Sequence, residues 1–484
     1  MIQLYLNKRD FEYDIYSLVK SFYPGKDVTV TDEDDASQGT EPELKISVFY
    51  EENQITMSVS DRDGGLLKQD TVKICPEEER KEIKNILKRL AYQILRDVTG
   101  QELPWGNLTG IRPTKIPMTL LEQGWKNSDI ARYMRETYYT SREKTALAVM
   151  IANRERHILK DINYENGYSL YVGIPFCPSI CLYCSFSSSP LKLWKDRVDD
   201  YLDALCKEID GTAEAFAGKE LDTIYIGGGT PTTLEPYQME RLLLKLEERF
   251  DYSHLKEFTV EAGRPDSITR EKLEVLRKHP VTRISINPQT MNQKTLDIIG
   301  RQHTVEETVE AFRLARELGF DNINMDLIVG LPGEGKDEVQ HTMEELRRLD
   351  PDSVTVHSLA LKRAARLNLF REQYQEISFQ NSSEIMDMTA GYCQEAGLYP
   401  YYLYRQKNMA GNFENVGYAK EGKEGIYNIL IMEEVQSILA LGAGGSTKLV
   451  YGADRIERIE NVKDIRNYID RIDEMIERKK KIHE

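Results

Sequence analysis

The chain has 484 residues, 40% hydrophobic and 30% charged, with a formal net charge of −16; this exceeds a single core and fits an ordinary soluble globular composition. The acidic balance argues against a nucleic-acid-tracking surface, the opening MIQLYLNKRDFEYD shows no basic stretch leading into an apolar run, and no segment reaches the ~18–20 apolar residues of a membrane helix. A cytoplasmic protein with no membrane span is expected, and six scattered cysteines are too few for a disulfide scaffold.

Residues 1–116 read as a small α+β domain. IQLYLN alternates at strand period, and KISVFYEENQITMSVS reads as two strands around a turn. Residues 77–98 place Ile83, Ile86, Leu87, Leu90 and Ile94 on one helical face, and the acidic stretch from Thr31 to Glu43 reads as a loop. A turn-rich link leads to a helical connector over 117–167. Over 168–365, β-branched runs (SLYVGI, TIYIGG, EFTVEA, TRISIN, INMDLIVG, SVTVHS) alternate with helical patterns near 194–217, 236–250, 269–278, 292–300, 305–318 and 336–349. Thr304 and Glu307 have capping-box spacing. Six strand–helix units imply a parallel sheet with right-handed crossovers, which either an open six-unit barrel or a doubly wound sheet satisfies. Working residues are then expected at the C-terminal strand ends. Residues 366–484, with a tyrosine-rich segment, a glycine-rich stretch and a charged final helix of about 30 residues, read as a smaller mixed, helix-rich domain across the mouth of the central one.

Cys177, Cys181 and Cys184 lie in one loop directly after the first of these strands, in PFCPSICLYC. Three thiolates at this spacing can hold three irons of a [4Fe–4S] cube. The fourth iron then keeps an open position, the mark of a catalytic metal. A zinc knuckle would need a fourth Cys or His close by, and none follows within twenty residues of Cys184.

Gly227-Gly228-Gly229-Thr230 ends the second strand, where glycines let a backbone approach a ligand. Glu261 closes the third strand, Gln289 follows the fourth, Arg301 lies twelve residues beyond it and Asp326 sits in the fifth. Singly each could be a cap or a salt-bridge partner; together they offer hydroxyl acceptors and a cation at one rim.

This pattern resembles the radical S-adenosylmethionine (SAM) superfamily, with Tyr183 as the aromatic before the last cysteine. GGGTPT, the Gln289-to-Arg301 interval and DLIVGLP resemble its oxygen-independent coproporphyrinogen III dehydrogenase branch. The resemblance implies a (β/α)6 partial barrel, a [4Fe–4S] cluster on the three cysteines, and SAM bound by Gly228, Gly229, Thr230, Glu261, Gln289, Arg301 and Asp326, with Tyr171 and Tyr183 beside the cluster. It further implies that an electron from an external donor such as flavodoxin or ferredoxin starts SAM cleavage to a 5′-deoxyadenosyl radical. The radical takes hydrogen from a propionate of coproporphyrinogen III, and loss of CO2 and a further electron leaves a vinyl. A tetra-anionic tetrapyrrole needs cations, for which Arg264, Lys362, Arg363 and Arg366 are candidates.

The chain departs from the dehydrogenase pattern in three ways. Phe186 stands where a fourth cysteine would be, Gly173 stands where a histidine would be, and a long N-terminal domain precedes the barrel. The missing cysteine is shared with heme chaperones of the same branch, which supply a second reading; a radical SAM heme-modifying methyltransferase is a third. The extension and the segment QKNMAGNFENVGY resemble a longer subgroup from anaerobic or facultative Gram-positive bacteria.

Overall fold

The structure, a computed structural model, describes residues 1–31, 42–110, 112–184, 188–360, 381–406, 413–452 and 455–480. They fall into two compact units, one over Met1–Asn153 and the other over nearly all of the chain from Arg154 onward.

In the first unit, β1 (Ile2–Leu6), β2 (Val28–Thr31), β3 (Leu44–Tyr50), β4 (Gln54–Asp61) and β5 (Leu66–Lys73) form a sheet in the order β2-β1-β3-β4-β5. The alternation read in IQLYLN is the burial pattern observed: Ile2, Leu4 and Leu6 of β1 are buried and the residues between them half-buried. The helices Glu12–Phe22 and Arg80–Thr99 lay Ile15, Leu18, Leu87 and Leu90 on Ile46 and Val48 in one closed apolar core. The second helix begins three residues later than the pattern suggested. Three further helices follow, Lys115–Glu122, Asn127–Tyr138 and Arg142–Ile158.

The second unit is built on β6 (Gly167–Ile174), a short ribbon of β7 (Phe176–Cys177) and β8 (Ser189–Pro190), then β9 (Glu220–Gly228), β10 (Glu257–Gly263), β11 (Arg283–Ile286), β12 (Ile323–Val329) and β13 (Ser353–Ser358). These are the six strands expected, plus the ribbon. Strands β6, β9, β10, β11, β12 and β13 lie side by side in sequence order, all parallel. A doubly wound sheet would reverse its order at a switch point; this sheet does not, so the open barrel is the arrangement formed. Helices Val198–Thr212, Pro236–Arg249, Arg270–Lys278, Gln293–Ile298, Val305–Glu317 and Lys336–Leu349 join the strands. The Thr304–Glu307 capping box forms as expected.

Two features of the C-terminal stretch differ from the sequence reading. Its strands do not sit apart over the mouth but continue the barrel sheet at both edges. β14 (Tyr399–Tyr404) and β15 (Asn415–Ala419) extend it antiparallel beyond β13. β16 (Ser437–Leu441) pairs parallel with β6 and is followed by β17 (Ser446–Val450) and β18 (Ile456–Glu460). The single charged helix is instead β18 and two short helices, Ile465–Asp470 and Ile472–Lys480, because Asp464 caps the first and Arg471 interrupts it. Glu208, buried in the helix Val198–Thr212, fixes this edge. It accepts from the Gly442 amide at 2.8 Å, from Asn461 at 2.7 Å and from the Tyr468 hydroxyl at 2.5 Å, and pairs with the buried Lys479. No helix among the described residues is long and apolar enough to cross a membrane.

Candidate active site

The cysteine loop leaves β6 at Ile174, where the parallel strands deliver their C-terminal ends. Its first ligand candidate, Cys177, is held in the β7–β8 ribbon, and the Ser189 amide donates to the Pro175 carbonyl at 2.8 Å. Farther along, the Leu182 amide donates to the Ile299 carbonyl at 2.9 Å. Leu182 itself packs on Leu296, Ile299, Ile328, Leu331 and Leu359, so both ends of the loop are anchored. Two arginines brace the middle. Arg264 donates to the Ser179 carbonyl at 3.2 Å, the Ser179 hydroxyl at 3.0 Å and the Cys181 sulfur at 3.7 Å, while pairing with Asp266 at 2.6 Å. Arg301 donates to the Tyr183 hydroxyl at 3.1 Å and the Asn287 carbonyl at 2.8 Å. The Thr230 hydroxyl donates to the Cys177 sulfur at 3.5 Å.

All three cysteines are free thiols. Burial pushes the Cys177 thiol up, opposed by its hydrogen bond from Thr230. Among the described residues no three His, Cys, Asp or Glu side chains gather around one ion position. A cube makes no such demand, because each thiolate takes its own iron. Three thiols on one braced loop, with the Arg264 guanidinium against them to offset thiolate charge, fit a [4Fe–4S] cluster.

The glycine run lies against this loop. The Gly229 and Thr230 amides donate to the Ile174 and Phe176 carbonyls, each at 2.7 Å. A Cβ at Gly229 would sit 2.5 Å from the Phe176 oxygen, so no side chain fits there. Gly228 has φ +109°, a conformation only glycine adopts freely, and a Cβ there would lie 3.1 Å from the Tyr171 hydroxyl.

Glu261, Gln289, Arg301 and Asp326 come together with the cysteines and Gly228–Thr230 around one cavity of about 370 Å³. Burial pushes the Glu261 carboxyl up to about 7, and the Tyr225 hydroxyl, which donates to it, holds it from rising further. Burial also works on Asp326, but His357, 3.6 Å away, and Asn324, at 2.7 Å, outweigh it and hold that carboxyl low. Two carboxylates on β10 and β12, the strands that flank β11, are thus set to different protonation behaviour. Gln289 adopts φ +67°, and its amide and carbonyl bond to Asp326 and Ile328, which turns the chain after β11 back across β12. Of the four substrate candidates, Arg264 lines the cavity, but its guanidinium is already engaged by Asp266 and the cysteine loop. Lys362, Arg363 and Arg366, like Phe186, lie outside the described residues.

The cavity also exposes residues that the sequence did not single out. Tyr225, Arg283, Ser285, His357 and Tyr404 line it. Tyr225 stacks on Tyr427 at 4.6 Å and on Tyr171 at 6.4 Å, so Tyr171 stands behind the glycine run as one member of a three-ring stack. The alternation within TIYIGG could have pointed to Tyr225; nothing in the sequence marks His357 or Tyr404, whose hydroxyl lies 3.4 Å from the His357 Nδ1. Ser285 Oγ, Arg283 Nε and Arg301 Nε are buried without a hydrogen-bond partner. Unpartnered polar atoms around a cavity are the signature of a polar ligand's place. The cavity, its glycine cradle and its mixture of carboxylates and arginines fit SAM, a sulfonium-linked amino acid and nucleoside with an ammonium, a carboxylate and ribose hydroxyls.

Comparison with known proteins agrees with this geometry. The radical SAM superfamily model matches residues 171–346. The oxygen-independent coproporphyrinogen-III oxidase-like protein HemZ of Bacillus subtilis (strain 168) is 40% identical over 415 residues, 84% of this chain and 83% of HemZ. The heme chaperone HemW of the same organism is 33% identical over 57% of this chain and 69% of its own length. The oxygen-independent coproporphyrinogen III oxidase of Escherichia coli (strain K12) is 34% identical over 40% of this chain and 42% of its own. Among solved structures, coproporphyrinogen III oxidase (HemN) from E. coli, a radical SAM enzyme, superposes with TM-score 0.52 at 24% identity, covering 64% of this chain and 70% of that one, a likeness of fold. The chain therefore belongs to the radical SAM superfamily, in the family that contains HemZ, HemN and HemW, and its cofactors are a [4Fe–4S] cluster and SAM.

Proposed function

We propose that this protein is a radical SAM oxidoreductase that converts propionate side chains of coproporphyrinogen III to vinyls without oxygen, giving protoporphyrinogen IX. The observation that carries the reading is the single cavity onto which three free thiols, the glycine cradle, Glu261, Asp326 and Arg301 all open. Similarity to HemZ over most of both chains supports the tetrapyrrole as substrate.

In this reading Cys177, Cys181 and Cys184 hold the cluster. When bound, cluster and SAM supply hydrogen-atom abstraction at an unactivated carbon. The remaining work falls to the chain. Gly228, Gly229 and Thr230 give SAM close access to backbone, Arg301 faces its carboxylate, and Glu261, Gln289 and Asp326 accept from its polar hydrogens, with Tyr171 and Tyr183 packed beside cradle and loop. Burial of these groups strengthens each hydrogen bond and keeps water from the reacting carbon. Arg264 braces the cluster loop, and Lys362, Arg363 and Arg366 are proposed as partners for substrate carboxylates.

A heme chaperone is the second reading, favoured by the similarity to HemW. The two separate in one experiment. The cluster is reconstituted anaerobically, SAM, a low-potential reductant and coproporphyrinogen III are added, and products are read by mass spectrometry. Mono- and divinyl products are expected; stoichiometric heme binding with no vinyl product would replace the first reading by the second.

A further inference from the structure

The sheet of the first unit ends on a strand that no other strand covers. β5 pairs antiparallel with β4 on one side, and among the described residues no strand lies on its other side. Every residue of β5 but Val72 is exposed, Leu66 at 61% and Leu67 at 48%. An edge of unpaired amides and carbonyls is a template for another strand, and edges that stay single are blunted by proline, by bulges or by charge. β5 has no proline. Its register shift lies at the Leu66 end, opposite Val59 and Ser60, and the ladder from Lys68 to Lys73 is regular. Charge is then what decides whether this edge accepts a partner.

The ladder fixes which backbone groups face outward. The Ile74 amide donates to the Asn53 carbonyl at 2.9 Å. Bonded pairs alternate along an antiparallel ladder, so Asp70 and Val72 turn their backbone groups to β4 while Gln69, Thr71 and Lys73 turn theirs away. The Thr71 amide accordingly donates to the Asp70 carboxylate at 2.8 Å rather than to a strand. A second β5 running antiparallel must set outward-facing residues opposite outward-facing ones, so the two-fold axis passes through a residue. Centred on Lys68 it opposes two ammonium groups, and centred on Asp70 two carboxylates. Centred on Thr71 it sets Asp70 against Val72. Only the centre at Gln69 sets Lys68 against Asp70 of the second copy, and the two-fold makes that pair twice. The same register brings Leu66 and Leu67 beside Val72 and Thr71, and Lys73 beside the turn Asp61-Arg62-Asp63, which is acidic on balance. Lys68 already meets Asp97 at 3.1 Å, which Arg96 offsets at 3.0 Å; an ammonium with three N–H groups serves both carboxylates.

We infer that β5 is a self-association edge, through which two copies of this chain pair antiparallel about Gln69 and join their N-terminal sheets into one. Backbone hydrogen bonds from Gln69 and Thr71 supply the attraction, and the Lys68–Asp70 pairs select the register, since opposite charges across strands stabilise and like charges repel. Lysine, elsewhere a device that keeps edges apart, becomes here the complement of the copy's aspartate. The inference stands apart from the proposed function, because it involves neither the cluster, SAM nor a tetrapyrrole.

The test is sedimentation equilibrium on the anaerobically reconstituted full chain and two variants. Wild type is expected to dimerise with rising concentration. Asp70→Lys sets lysine opposite lysine twice and should weaken the dimer roughly tenfold at low salt, and less at high salt, where the repulsion is screened. Gln69→Pro removes an amide hydrogen that points away from β4, a place where an edge strand tolerates proline, and should leave the chain monomeric. Iron content and SAM cleavage should stay at the wild-type level in both. Hydrogen exchange gives the register: the amides of Gln69, Thr71 and Lys73 should slow as wild type is concentrated, while those of Asp70 and Val72, already bonded to β4, should not change. Asp70→Lys, a change at an exposed position, decides the matter alone if Gln69→Pro loosens the sheet. A wild type that stays monomeric at the highest concentration reached would overturn the inference. So would a dimer that Asp70→Lys leaves equally tight, which would place the interface elsewhere.

Discussion

The two sheets of this protein differ in how much polar side chain they bury. In the first unit, Ile2, Leu4, Leu6, Ile46, Val48, Ile55, Met57 and Val59 close a largely apolar interior, with Ser47 the buried polar residue of its described strands. In the barrel sheet the strands also bury Ser169, Thr223, Thr259, Arg283, Ser285, Asn324, Ser353 and Thr355. Burying a polar group costs free energy unless it finds a partner, and many of these do. Thr223 donates to Ser169 at 2.8 Å, Ser169 to Gln436 at 3.0 Å, and Asn324 accepts from Ser353 at 3.0 Å and Thr355 at 3.2 Å. Ser285 Oγ, Arg283 Nε and Arg301 Nε find none, and these three residues line the cavity. An apolar core can finish itself; a polar one leaves vacancies that a ligand completes.

The sharpest way to break this contrast is Cys177→Ala. It should leave the chain folded, abolish the visible absorption and iron content of the reconstituted cluster, and reduce 5′-deoxyadenosine formation to background. A variant that still assembles a stable four-iron cluster would contradict the assignment of Cys177. The opposite result is expected in the first unit. Ile46→Ala, at a fully buried position, should cost about 2–5 kcal/mol in urea unfolding and leave the cluster's absorption and SAM cleavage intact.

Arg301→Ala ranks next, because it removes a cation from the cavity and a hydrogen bond to Tyr183. A hydrogen bond to a charged group is worth about 1.5–3 kcal/mol, so SAM binding by isothermal titration should weaken roughly 10- to 100-fold. An unchanged affinity would mean that Arg301 braces the loop without meeting SAM.

How much of this was legible follows from sequence distance. The cysteine triplet and the glycine run were readable because the chemistry needs those residue types within a few positions. Glu261, Gln289, Arg301 and Asp326 could be proposed because parallel strands deliver their C-terminal ends to one rim. Tyr225, His357 and Tyr404 were not singled out, because which face of a strand looks inward is settled only by its neighbours. The C-terminal strands were misplaced for the same reason. The bond from Ser169 to Gln436 joins residues 267 positions apart, the pairing of β16 with β6 spans a similar separation, and no local pattern records such a partner.

The smallest effect tests the finest claim, that Tyr225 tunes Glu261. Burial pushes the Glu261 carboxyl up to about 7, and the Tyr225 hydrogen bond opposes that rise. As an acceptor of ligand hydrogens Glu261 must be ionised, so SAM affinity should climb as pH rises through about 7 and flatten above it. Tyr225→Phe removes the hydroxyl but keeps a ring to stack on Tyr427. Without that donor the carboxylate is less stabilised, its pKa moves higher, and the midpoint of the affinity–pH curve should move to higher pH. The variant should therefore bind SAM more weakly near neutrality and come closer to the wild type in alkaline buffer, where both carboxyls are ionised and only the loss of one hydrogen bond remains. A midpoint that stays put or moves down would show that Tyr225 holds the stack of rings but not the charge of Glu261.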